Sequence, residues 1–224
     1  MKNPTIEELQ SSERYELVAR LKHDEIKNFV LEQISETTSK IVKGYMFYQL
    51  LMVLTGMFFL ARAIVFVFRN YYEPFFISLL AVVFSFSLLI IIHEGLHGIA
   101  LKLTGAKKVS FGGFFRKFIF YAEADQHVMN RKQFAFVALT PLIVVKIITL
   151  IGIVLFWNQP AFYFSLIVMS AHSLFCAGDI GLLSVFHNEP EQEVFTFDVK
   201  DEKTSYFFRE KTEQTVESEL TKND

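Results

Sequence analysis

Two imidazoles and a carboxylate stand together at His93-Glu94-Gly95-Leu96-His97, inside an apolar run that extends over residues 75–103. Positions four apart return to nearly the same helix face, so His93 and His97 can both offer a ring nitrogen to one ion while Glu94 lies beside them. Zinc accepts such a set, and a carboxylate next to it is placed to take a proton from water. A charge at the centre of a membrane helix costs about 2.5–3.5 kcal/mol on insertion scales, so these residues need a metal, a partner or a cavity. The plain alternative is a polar cluster that joins helices.

Catalytic zinc commonly has three protein ligands and an open fourth position. Asp179, in the apolar run 161–186, is the candidate third ligand. Counted from the outer ends of their runs, His93 and Asp179 both lie about 18 residues in, roughly 27 Å at 1.5 Å per residue, which brings them level near the cytoplasmic leaflet. Gly95, Gly98, Gly178 and Gly181 would let the two helices approach closely.

Other polar residues in the runs have less definite readings. His172 lies seven residues before Asp179 on the same face, as a ligand, a transition-state donor or a group that packs behind the ligands. Cys176 on that face reads as a small buried hydrophobe. Thr140-Pro141 should disturb its helix and release a backbone carbonyl near the depth of the metal, either to line a substrate cavity or as a packing kink. Lys146 is expected to snorkel or pair with a neighbouring helix. His23, Glu123, Asp125, His127 and His187 are accounted for by solvation.

These residues need a membrane bundle to hold them. Of 224 residues 52% are hydrophobic and 26 are phenylalanine, which places the chain among multipass membrane proteins. The expected fold is an all-α membrane protein with four transmembrane helices near residues 44–66, 75–103, 134–157 and 161–186, each long enough for the roughly 20 residues a hydrocarbon core requires. A cytoplasmic amphipathic helix is expected in residues 1–43, and a small cytoplasmic β-hairpin within 104–132, where residues 109–121 are aromatic and β-branched around Gly112-Gly113. Residues 187–224 read as a charged cytoplasmic tail of limited order. Lysine and arginine gather in the N-terminal segment, in the connection after the second span and in the tail. By the positive-inside rule both termini face the cytoplasm, in a plasma membrane.

A net charge of −2 with no basic stripe excludes a nucleic-acid partner. The single cysteine excludes an internal disulfide.

His93-Glu-Gly-Leu-His97 in a span, an aromatic hairpin, Ala138-Leu-Thr-Pro141 opening the next span and Gly178-Asp179-Ile180 in the last together resemble the putative zincin peptidase family of bacterial multipass proteins. That family in turn resembles, at a distance, the site-2 protease type of intramembrane metalloprotease. The resemblance implies a Zn2+ cofactor held by His93, His97 and Asp179, with Glu94 as the catalytic base. It implies a membrane-protein or transmembrane-peptide substrate, met within the bilayer near the cytoplasmic face. Thr140, Pro141 and His172 are candidates for positioning substrate or ligands. The departures are the order Gly178-Asp179, the missing proline-rich stretch before it, and the lack of a PDZ-like module. A zinc-binding scaffold, immunity factor or regulator without peptidase activity is the alternative; metal transport is disfavoured, because only Lys146 offers polarity at another depth.

Overall fold

The computed structural model describes residues 3–11, 14–36, 39–114, 116, 119–187 and 192–211. Residues 115, 117 and 118 of the expected hairpin and the tail beyond residue 211 lie outside the described residues.

The molecule is mostly helical. Among the described residues three stretches are long and apolar enough to cross a membrane: α3 (Lys40–Val67), α6 (Arg131–Leu155) and Ala161–His187. The last comprises α7 (Ala161–Phe175), α8 (Ala177–Ser184) and a 3-10 turn at Val185–His187. The helices α4 (Glu73–Ser85) and α5 (Leu88–Leu103) add a fourth candidate if the pair, bent by 45°, is one span. Ala161–His187 is 61% buried over its most apolar window against 11% for α3, so α7 is the central helix, packed on α3, α4 and α6. On α3, Phe47, Leu54, Met57 and Phe58 point outward, as a surface that meets lipid requires.

The second expected helix is therefore broken. Ser85 and Ser87 donate their hydroxyls to the carbonyls of Ala81 and Val83, at 2.8 and 2.6 Å. Serine hydroxyls that compete for carbonyls one turn back bend helices, and here the bend lies between one and two turns before His93.

The aromatic connection forms an antiparallel pair, β2 (Ser110–Phe114) with β3 (Ile119–Glu123), in which Gly112 faces Tyr121. A second, four-stranded sheet departs from the all-α expectation. Its order is β1 (Tyr15–Lys22), β6 (Thr204–Glu210), β5 (Val194–Val199) and β4 (Met129–Asn130), with antiparallel neighbours. The N-terminal segment is thus not one amphipathic helix but α1 (Ile6–Gln10), strand β1 and α2 (Ile26–Glu36), and the tail contributes a two-stranded ribbon.

A register shift in β1 between Leu17 and Ala19 supplies the physical reason. A bulge turns the following side chains to the opposite face, which removes the strict alternation that marks a strand. Tyr15 then packs with Leu9, Phe195, Phe197 and Phe208, whereas Leu21 packs with Val185, Phe186, Val194 and Phe207. The second cluster also takes Ile26 and Phe29 of α2 and Phe134 of α6, so it fastens the sheet to the end of the helical bundle. At β4 the chain passes directly into α6 through a capping box: Asn130 accepts from the Gln133 N–H at 3.0 Å, and Gln133 accepts from the Asn130 N–H at 3.2 Å.

Candidate metal centre

The face of α5 that turns inward carries both histidines, with His93 and His97 each less than a tenth exposed. From the opposite side α8 brings Asp179 in its first helical turn, where the N-terminal dipole favours a carboxylate. The Nε2 atoms of His93 and His97 are 3.2 Å apart. Asp179 Oδ1 lies 3.1 Å from His97 Nε2, and Asp179 Oδ2 lies 3.4 Å from His93 Nε2.

These separations can be tested against an ion. Ligand atoms at about 2.0–2.1 Å from a tetrahedral zinc stand about 3.3 Å from one another; the two imidazole nitrogens are near that edge length, and the Asp179 carboxylate spans them, each oxygen near it from one ring. Proton placement points the same way. His97 Nδ1 lies 3.0 Å from the carbonyl oxygen of Val137, and a carbonyl can only accept, so in the neutral ring Nδ1 carries the proton and Nε2 is a bare acceptor. That acceptor faces carboxylate oxygens and another ring nitrogen. Asp179 Oδ2 is buried with no hydrogen-bond partner. With His97 neutral, its bare Nε2 and the Asp179 oxygens are converging acceptors, an arrangement that a shared proton or a cation satisfies. His93, His97 and Asp179 thus form a group that could hold a metal ion.

Both rings are also held from behind. The carbonyl of Val137 is available because Pro141, four residues on within α6, has no N–H to bond it. His93 Nδ1 is 3.0 Å from His172 Nε2 on α7, which fixes the orientation of the first ring. The structure therefore places His172 behind His93, outside the triad with Asp179. Thr140 turns its hydroxyl back onto the Phe136 carbonyl at 2.6 Å and does not line the cavity. Pro141 acts through the carbonyl that it leaves open.

Glu94 lines a cavity of about 570 Å³ together with His93, His97 and Asp179. Its Oε2 is buried without a hydrogen-bond partner, and the backbone of Ala122 on β3 bonds the carboxylate. Four consecutive residues of β3, Ile119 to Ala122, form one wall, while α2 contributes Ile26, Val30 and Leu31. Among the described residues β3 pairs only with β2, so its other edge is not taken up by a strand.

Residues 86–194 match the family model described as "Putative zincin peptidase". The zincin match begins at the bend before α5 and ends at the first residue of β5, so it contains His93, Glu94, His97, Asp179, the β2–β3 pair and α6. The family's description implies zinc and a metallopeptidase. No curated protein and no solved structure matches the chain.

The glycines act differently from the expected helix–helix contact. A Cβ on Gly95 or Gly178 would meet nothing within 4 Å, whereas one on Gly98 would come 2.6 Å from the Phe111 ring and one on Gly181 would come 2.7 Å from Val30. Gly98 thus lets β2 settle against α5 one residue after His97, and Gly181 lets α2 settle against α8 two residues after Asp179. Lys146 is held by α3: its ammonium lies 4.6 Å from the centre of the Tyr48 ring and 3.2 Å from Met52 Sδ.

Sequence reasoning expected a carbonyl freed by Pro141 near the metal but not that it would hold His97, and it missed the Ala122 backbone as part of the site. Main-chain groups carry no residue-type signal. Pro141 was the one available sign for the first of them.

Proposed function

We propose that the protein is an intramembrane zinc metalloprotease that hydrolyses peptide bonds of membrane-protein substrates near the cytoplasmic face. The observation that carries this reading is the convergence of His93, His97 and Asp179 on one point beside Glu94, whose Oε2 is buried without a partner, in a cavity walled by a strand edge. In this reading the bent pair α4–α5 is one of four spans, and both termini are cytoplasmic, with the four-stranded sheet beneath the bundle.

His93, His97 and Asp179 would hold zinc, which supplies Lewis-acid polarisation of the scissile carbonyl and activation of a water. Glu94 takes the proton of the attacking water and returns it to the leaving amine nitrogen. Val137 and His172 keep the two imidazoles aimed while this happens. A helical substrate hides its backbone, so it must be extended to be cut, and an extended segment can pair with the outer edge of β3 as an added strand. The apolar cavity walls from α2, α5 and α6 suit the side chains of a membrane segment.

The test compares membrane-protein fragments in cells that carry the wild type or Glu94→Gln. A fragment that depends on Glu94, with both proteins at equal abundance, supports proteolysis. Identical fragment profiles, with zinc bound in both, support the zinc-binding scaffold or regulator instead.

A further inference from the structure

Behind the His93 ring lie two side chains for which proton transfer has no use. His172 and Cys176 are 2% and 0% exposed, one helical turn apart where α7 ends. Their donor atoms converge on His93. His172 Nε2 is 3.0 Å from His93 Nδ1, Cys176 Sγ is 3.8 Å from the same His172 nitrogen, and the three residues offer ligand atoms that all lie within 4.8 Å of one another.

The thiol lies between the His172 ring and the Tyr45 hydroxyl, both within hydrogen-bond reach. Its sulfur stands 3.6 Å from His172 Nδ1 and 3.8 Å from Nε2, so it faces the ring edge between the nitrogens and is aligned with neither. Around a tetrahedral ion with metal–nitrogen bonds of about 2.0–2.1 Å and a metal–sulfur bond of about 2.3 Å, nitrogen–nitrogen edges are about 3.3 Å and nitrogen–sulfur edges about 3.6 Å. The observed 3.0 and 3.8 Å lie a few tenths of an ångström from those edges, and because the sulfur stands as near to His172 Nδ1 as to Nε2, it must turn about its Cα–Cβ bond toward the Nε2 side to share an ion there.

We propose that His93 Nδ1, His172 Nε2 and Cys176 Sγ form a second metal site, for a soft thiophilic cation such as Cu+ or Cd2+. A thiolate with two imidazoles in apolar surroundings selects soft ions, whereas the carboxylate-bearing triad on the other side of the ring suits zinc. The incoming cation replaces two protons, one from the Cys176 thiol and the one shared between His93 Nδ1 and His172 Nε2; both leave to solvent, and nothing is oxidised or reduced. The His93 imidazole then joins the two sites. A thiophilic ion replaces the hydrogen bond that orients His93 and so acts on the first site from behind. This assignment does not depend on the peptidase reading.

Cadmium binding to the metal-free, full-length protein in detergent tests it, with stoichiometry and the near-ultraviolet thiolate-to-cadmium absorption as readouts. The wild type is expected to bind two ions, one of which produces the absorption band. Cys176→Ser should lose the band and one ion. His172→Asn should weaken the band-forming step by about tenfold or more, since even partners behind a ligand are worth about 10–100-fold in affinity. Asp179→Ala should lose the other ion and keep the band. A single ion whose band survives Asp179→Ala upholds this second site and overturns the zinc-triad reading. No band in the wild type at saturating cadmium, or an undiminished band in His172→Asn, overturns the second site.

Discussion

Pro141 orients His97 without touching it. Lacking an N–H, the proline leaves the Val137 carbonyl open within α6, and that carbonyl receives the Nδ1 proton of His97 at 3.0 Å. A helix irregularity in α6 thereby sets the tautomer and aim of an imidazole on α5.

Pro141→Ala supplies an N–H that competes for the Val137 carbonyl while it improves the helix. Zinc affinity is expected to fall about 10–100-fold, the usual worth of a partner behind a ligand, with helix content unchanged. Competition against a chromophoric chelator measures this, and an unaltered affinity would show that the carbonyl is a bystander.

Gly98 sets how closely the strand pair approaches α5. Gly98→Ala pushes aside the exposed end of the Phe111 ring and should cost at most about 1 kcal/mol, the low end for overpacking, with a partial loss of substrate cleavage as β3 shifts against Glu94. Adding Phe111→Ala removes the clash, so the double variant should regain most of the cleavage. A double variant as impaired as the single one would place the effect of Gly98 elsewhere.

Glu123, at the end of β3, is buried beside His23, which approaches it at 3.7 Å, and accepts from the Ser110 hydroxyl at 3.2 Å. Burial pushes its carboxyl above the ordinary carboxylate range. A folded-state pKa above the unfolded value means that this group's contribution is fully present at low pH and lost as pH rises through the raised value. Glu123→Gln stays neutral throughout. Its β3 amides should therefore exchange more slowly than the wild type's above the ordinary carboxylate range and alike below it. Parallel pH profiles for the two proteins would exclude Glu123 as the cause.

Period and residue type made the spans and the motif legible. The four apolar runs correspond to helical segments, and a count of depth brought Asp179 level with His93, where the structure finds their atoms 3.4 Å apart. The four-stranded sheet was not legible, for two physical reasons. Its partners come from residues 15–22, 129–130 and 194–210, a separation no local pattern reveals, and the bulge after Leu17 places apolar residues of β1 on both faces. The expectation that His23 and Glu123 are solvated failed with it, because that sheet and the β2–β3 pair bury them together. Serine bonds to carbonyls likewise bent a segment whose hydropathy runs unbroken from α4 to α5.

The central claim is that His93, His97 and Asp179 hold one zinc for Glu94 to use. Zinc content, measured on the wild type, Glu94→Gln and Asp179→Ala purified alike with thiophilic metals excluded, tests it most directly. The account predicts one zinc per chain in the wild type and in Glu94→Gln, with cleavage lost only through the proton step in the latter, and little or no zinc in Asp179→Ala. A wild type without stoichiometric zinc, or an Asp179→Ala protein that holds it as firmly, would contradict the account and leave a polar cluster that joins helices.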